Sequence, residues 1–256
     1  MYGLEPRGLD GMLLPHSTVE AAAESYLQAI VGTNIQAPIH LLGHSFGGWK
    51  ALELAARLQK AGHSIASLTL LDTDVPDNDL TIVREYNGIQ VVLDWLQVFE
   101  KVLGRPLKVS QADLESRNEA EQRSLLHRCL VNEGLLPHRS DPETLRGQLQ
   151  TFAAALRTHY KPSGVYEGRV QLVLADDPQL DDAANQQKHK ETIEGWKRYA
   201  PNLIYTRSHG NHMTLLKPPH IHDVACLIQD SVIFSARNGA SKPKQSMQAS
   251  VAAGSD

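Results

Sequence analysis

Cysteine is nearly absent from the 256-residue chain: Cys129 and Cys226 are too few and too scattered for a disulfide framework or a thiolate metal site. An excess of one charge is also lacking. The 25 Lys and Arg against 29 Asp and Glu leave a formal charge of -4, which offers no basic footprint for nucleic acid and no polybasic patch for a membrane surface. No run approaches the roughly 20 apolar residues that span a bilayer, and the N-terminus lacks the charged-then-apolar order of a signal peptide. No segment repeats. What remains, 41% hydrophobic and 21% charged residues, is an ordinary globular composition with material for a substantial core. A cytoplasmic protein that engages neither nucleic acid nor membrane is expected.

Hydrophobic periodicity supplies the architecture. Val19, Ala22, Ala23, Tyr26, Leu27 and Ile30 recur at helical spacing, so a helix is predicted over Thr18 to Ile30, opened by a Ser17/Glu20 capping box and stopped at Gly32. The apolar run Pro38 to Leu42 reads as a strand, Gly43 to Gly48 (GHSFGG) as a glycine-rich turn, and Ala51, Leu54, Ala55 and Leu58 as one face of a second helix closed by Gly62. Ser67 to Leu71 is a further buried strand ending at Asp72. This alternation implies a parallel sheet with right-handed crossovers. From about Val75 to Val165 the chain is charged and helix-rich, a helical insertion within one α/β domain. Strands resume at Val170 to Ala175 and Leu203 to Thr206, with helices near Lys190 to Tyr199 and Pro219 to Phe234. The tail from Ala236 to Asp256 is small, polar and aperiodic, and is expected to be disordered, leaving a domain of residues 1–235.

Gly43-His-Ser-Phe-Gly47 is a G-x-S-x-G pattern between a predicted strand and a predicted helix. Chance produces the bare pattern in about one chain in ten of this size. Its setting adds the meaning: a serine on a sharp strand-to-helix turn stands at the carboxyl edge of the sheet and at a helix N-terminus, where negative charge is favoured. Flanking glycines let strand and helix approach closely, and the amide of Phe46 is placed to donate to an oxyanion. Serine needs an imidazole base held by a carboxylate. Asp72 ends the next strand at the same sheet edge; Asp176 and Asp177 follow the later strand and are the rival acids. Of 12 histidines, His212 lies in the loop between the last strand and the last helix, where a late base belongs, with His209 the alternative in that loop. The pairs His209/His212 and His220/His222 lack a completing carboxylate or cysteine, so no metal and no cofactor is expected. Leu93, Trp95, Leu96, Phe99, Phe152 and Leu156 fit either an acyl channel or helix-on-helix packing, and their spacing favours packing.

These segments resemble the type I thioesterase domains that end polyketide and nonribosomal peptide synthetases. The resemblance is carried by MYGLEPRGLDG (Met1 to Gly11), STVEAAAESYLQAI (Ser17 to Ile30), the stretch from Ile39 to Asp77 with LLGHSFGG and LLDT, and HGNHMTLL (His209 to Leu216). It implies an α/β-hydrolase-like, mostly parallel sheet with helices on both faces and a helical lid at about 75–165. It also implies a triad of Ser45, Asp72 and His212, with a serine-to-acid separation of 27 positions favouring Asp72 over Asp176. The implied reaction takes an acyl or peptidyl chain from the phosphopantetheine thioester of a carrier protein through a serine-bound intermediate, ending in hydrolysis or cyclisation. Members of the family begin with further strands and a loop that supplies a second oxyanion amide. Met1 falls past that loop, so the resemblance implies an N-terminally truncated chain, a fragment of a synthetase or of a shortened reading frame. Loss of one donor costs on the order of 10² to 10³ in rate. A generic serine ester hydrolase, or a catalytically weak hydrolase-like binding module, are the alternatives.

Overall fold

Two strands are apolar along nearly their whole length, and both are central. The computed structural model describes residues 1–33, 35, 38–76 and 86–239. Within them β1 (Ile39–His44), β2 (Ile65–Leu71), β3 (Val170–Leu174) and β4 (Leu203–Arg207) form one parallel sheet in that order. Every residue of β3 and the last five of β2 are buried, as strands covered on both faces must be. The edge strands are wetter, with Leu42 on β1 and Ile204 and Tyr205 on β4 exposed.

A strand order that advances one neighbour at a time through right-handed crossovers sends successive helices to one face. Helices α2 (Phe46–Lys60) and α7 (Asp182–Lys197) accordingly share a core: Leu54, Ala55 and Leu58 of α2 and Trp196 of α7 pack with Leu68, Leu70, Leu172 and Leu174. Trp196 is fully buried, and its indole N–H is satisfied by the Thr73 carbonyl at 2.9 Å. Val19 and Ala23 of α1 (Val19–Gly32) join this core. The opposite face is covered by α8 (Ile221–Gly239), whose Val224 packs on Leu71, Val173 and Ala175.

Three boundaries differ from expectation. The cap of α1 is Thr18, not Ser17: Thr18 is extended and its hydroxyl accepts from the Ala21 amide at 3.1 Å, one residue past the Ser17/Glu20 box. Helix α7 starts at Asp182 rather than near Lys190, because its inner face carries the buried polar residues Asn185 and His189 and so shows no apolar period. Asn185 donates to the carbonyls of Asp177, Leu180 and Asp181. Helix α8 continues to Gly239, through residues assigned to the tail; the remainder, 240–256, lies outside the described residues.

Between β2 and β3 lie α3 (Gly88–Leu103), α4 (Gln111–Glu115), α5 (Glu119–Asn132) and α6 (Thr144–Arg157). Asn87, Ser110 and Asn118 cap the first three, and Gly104 ends α3 at φ 67. These helices bury a separate core of Trp95, Leu96, Leu114, Leu126, Leu130 and Leu145. Leu93, Phe99 and Phe152 pack against it, so of the apolar residues weighed for an acyl channel only Leu156 reaches the cavity beside Ser45. After α6 the chain is tied back to the sheet domain by Tyr160, whose hydroxyl donates to Glu53 at 2.8 Å.

Candidate active site

The β1–β2 ladder continues through Gly43 and His44, and α2 begins at Phe46. What reads in sequence as a glycine-rich turn is thus two strand residues, a single turning residue and the first residues of a helix. Ser45 makes the whole turn at φ 53, ψ -131, a conformation that costs a residue with a β-carbon about 1–3 kcal/mol. Its amide donates to the Leu71 carbonyl at 2.9 Å and its carbonyl accepts from Gly48 at 2.9 Å, which holds the strained geometry. The glycine requirement differs from expectation. A β-carbon on Gly43 would fall on the Gly47 carbonyl, and one on Gly48 would fall on the Thr73 side chain, whereas Gly47 itself faces open space. The second glycine of G-x-S-x-G is dispensable on these grounds; the one after it is not.

Asp72 follows the last residue of β2 and is the other non-glycine residue with positive φ (41°) among the described residues. Its amide donates to the Val173 carbonyl at 2.7 Å. One carboxylate oxygen, Oδ1, accepts from the Ala175 amide at 3.0 Å, and Oδ2 accepts from Nδ1 of His212 at 2.7 Å. Burial pushes this carboxyl upward in pKa, but the hydrogen bonds from His212 and Ala175 and the nearby cations outweigh it and hold it below its ordinary value. Asp72 is therefore ionised at neutral pH, and its acceptor role fixes the His212 proton on Nδ1, leaving the Nε2 lone pair free.

The loop after β4 is built to present His212. The Ser208 amide donates to the Leu174 carbonyl at 2.8 Å, and Gly210 turns the chain at φ 85. Asn211 Oδ1 then accepts from the amides of Met213 and Thr214 at 2.9 and 3.1 Å. His44, whose role the sequence alone did not reveal, donates from Nε2 to the His212 carbonyl at 3.1 Å, with ring centroids 4.8 Å apart. Burial, then the neighbouring His212, push its pKa down, so it stays neutral and able to make this bond. A histidine directly before the turning serine was the available signal.

The structure thus joins Asp72 to His212 directly and ties the His212 loop to the residue preceding Ser45. Among the described residues the Ser45 hydroxyl and His212 Nε2 have no hydrogen-bond partner, an arrangement common before substrate binds. The rival acids point elsewhere. Asp176 is held by Arg207 at 2.6 Å and Asp177 lies 3.6 Å from Lys188. His209 pairs with Asp223 at 2.8 Å. The Phe46 amide, at the first position of α2, has no acceptor within the helix and is available to an oxyanion. A cavity of about 300 Å³ opens at Ser45, lined by Phe46, Trp49, Val75, Leu156 and His159.

A family model described as thioesterase domain matches residues 1–231. The chain belongs to the thioesterase domain family. This thioesterase domain is 22% identical over 238 residues to the chondramide synthase of Chondromyces crocatus, a match covering 90% of this chain and 6% of that protein. It is 38% identical over 77 residues to the vanchrobactin synthetase of Vibrio anguillarum, covering 30% and 3%. A crystal structure of a four-domain nonribosomal peptide synthetase bound to AMP and glycine matches with TM-score 0.71 at 20% identity, over 88% of this chain and 17% of that one. The Vlm2 thioesterase domain matches with TM-score 0.57 at 19% identity, over 87% and 80%. The α/β-hydrolase-like fold and the serine hydrolase class expected of the thioesterase domain therefore stand. The domain spans only a small fraction of the synthetases it resembles.

Proposed function

We propose that the domain takes an acyl or peptidyl chain from the phosphopantetheine thioester of a carrier protein. Ser45 Oγ attacks the carbonyl carbon while His212 Nε2 removes its proton; Asp72 orients the imidazole and stabilises its charged form. The Phe46 amide and the N-terminal end of α2 favour the charge developing on the carbonyl oxygen. His212 then returns the proton to the departing thiolate, leaving the chain esterified to Ser45. Water, or a nucleophile of the chain itself, repeats the sequence in reverse and frees the product. The helices between β2 and β3 act as a lid over the acyl cavity. The observation that carries this reading is the 2.7 Å bond from His212 to Asp72, in a loop anchored to the residue before the strained Ser45.

Intact mass after exposure to an acyl thioester tests it. Wild type is expected to gain one acyl group and Ser45→Ala none, and the released product separates hydrolysis from internal attack. Faster turnover of a carrier-bound thioester than of a soluble ester of the same acyl group is expected; the reverse order would indicate a general esterase. Absence of both the adduct and labelling of Ser45 by a serine-directed phosphonate would leave a binding module instead.

A further inference from the structure

One group of basic side chains outside the Ser45 site has no carboxylate among the described residues around it. Arg7 and His16 of the N-terminal segment and Lys50 of α2 line a cavity of about 20 Å³, closed by Tyr26 of α1 and Thr151 of α6. No Asp or Glu is among the described residues that line it. Lys50 makes no hydrogen bond or ion pair among the described residues; its Nζ rests over the Phe46 ring, 4.6 Å from the centroid. Arg7 likewise has neither. His16 Nε2 is shielded from solvent and has no hydrogen-bond partner. Burial pushes the Lys50 ammonium down in pKa, and burial followed by the charges of Arg7 and Lys50 pushes His16 down. Shielded polar groups in a folded chain are ordinarily paired, because an unmet donor forfeits its hydration without return. The shielded His16 Nε2, the half-buried Lys50 and the exposed Arg7 meet at one cavity and mark a place where the described residues supply no acceptor.

The cavity also adjoins the site: Phe46 and Ala155 line both it and the larger cavity at Ser45. Its volume admits one oxygen atom, so a carboxylate or phosphate enters it by a single oxygen and keeps the rest of the group outside. We propose that this pocket binds an oxyanion, a carboxylate or a phosphate group, with Lys50 and Arg7 supplying charge and His16 supplying an N–H donor. The anion has two candidate sources. It is either the far end of the substrate's own chain, which rests on the acyl-transfer reading above, or a free anion that binds whether or not the chain is acylated.

Two measurements separate these sources. In thermal melts, inorganic phosphate at about a hundredfold excess over its Kd is expected to raise the Tm of wild type by about 5 °C, while chloride at equal ionic strength does not. Lys50→Met and Arg7→Gln are expected to lose this response; Arg7 is exposed, so its variant guards against misfolding of the other. In kinetics, the ratio of kcat/KM for a thioester ending in a carboxylate to that for a methyl-ended chain of equal length is compared across the same proteins. A wild-type ratio of about tenfold or more that collapses toward one in both variants assigns the pocket to the chain end. A phosphate response with a ratio near one assigns it to a free anion. Neither response in wild type, or responses unchanged in both variants, overturns the proposal. The melts require no turnover, so they still read the pocket if no thioester is cleaved.

Discussion

Replacing Asp72 by Asn exchanges one oxygen for an NH₂ group, and the two groups that donate to the carboxylate dictate the outcome. The Ala175 amide can only donate, so the new amide oxygen must stay where Oδ1 now accepts at 3.0 Å. Its NH₂ then faces His212 Nδ1, which at 2.7 Å now donates to the carboxylate and would have to accept instead. The imidazole proton moves to Nε2, the atom that must take the proton of Ser45. A triad locked in that tautomer loses about 10⁴ in kcat, or about 5.5 kcal/mol of barrier. The fold should tolerate the change, since Asn accepts the φ of 41° that Asp72 adopts. Stability carries a second signature. Because the carboxyl is depressed in the folded state, it contributes stability above its ordinary value of 3.8, and this is lost as pH falls through the folded value. Asp72→Asn should therefore be less stable than wild type at pH 7, with the gap closing in acid. The assay is burst-phase acylation by a p-nitrophenyl ester, with urea melts at several pH values. Asp176→Asn, which weakens the Arg207 pair and the 3.6 Å contact with His189, should cost less than about fivefold. An Asp72→Asn enzyme within tenfold of wild type, or a larger loss from Asp176→Asn, would refute the reasoning.

Urea melts should separate the glycines of the elbow. Gly48→Ala forces a methyl into Thr73 and should cost about 1–3 kcal/mol, while Gly47→Ala meets open space and should be neutral or stabilising by up to about 1 kcal/mol. His44→Leu removes the bond to the His212 carbonyl and should lower kcat about tenfold in the ester assay. Since burial depresses the His44 pKa, the wild type loses stability as pH falls from 6.5 through the folded value, and the Leu variant should show a shallower loss between pH 7 and 5. Tyr160→Phe leaves buried Glu53 without its hydroxyl donor and should destabilise by about 1–3 kcal/mol, read as a lower Tm.

Elements that announce themselves by period were readable directly. The apolar faces of α1 and α2 and the unbroken runs of β2 and β3 appear in sequence because burial acts on them residue by residue. Where burial falls on polar groups the pattern vanishes, as along the Asn185 and His189 face of α7. The serine was visible through its glycines, but which glycine mattered was not, since Gly48 is constrained by Thr73, 25 residues away. Asp72 and Asp176 look alike at two strand ends; the family spacing favours Asp72, and the structure separates them by pairing one with His212 and the other with Arg207. The positive φ of Asp72 is a tertiary fact with no local signature, and the His44 bond had only the place of that histidine before Ser45 to signal it.

The helices between β2 and β3 bury Trp95, Leu114, Leu126, Leu130 and Leu145 in one another, not in the cavity at Ser45. Among the described residues the segment between β2 and β3 reaches that cavity through Asp74 and Val75 at its start and Ala155, Leu156, Thr158 and His159 at its end. On the proposed acyl-transfer reading, substitutions buried within those helices leave the cavity lining unchanged, and the lining can be exchanged without disturbing how the helices pack.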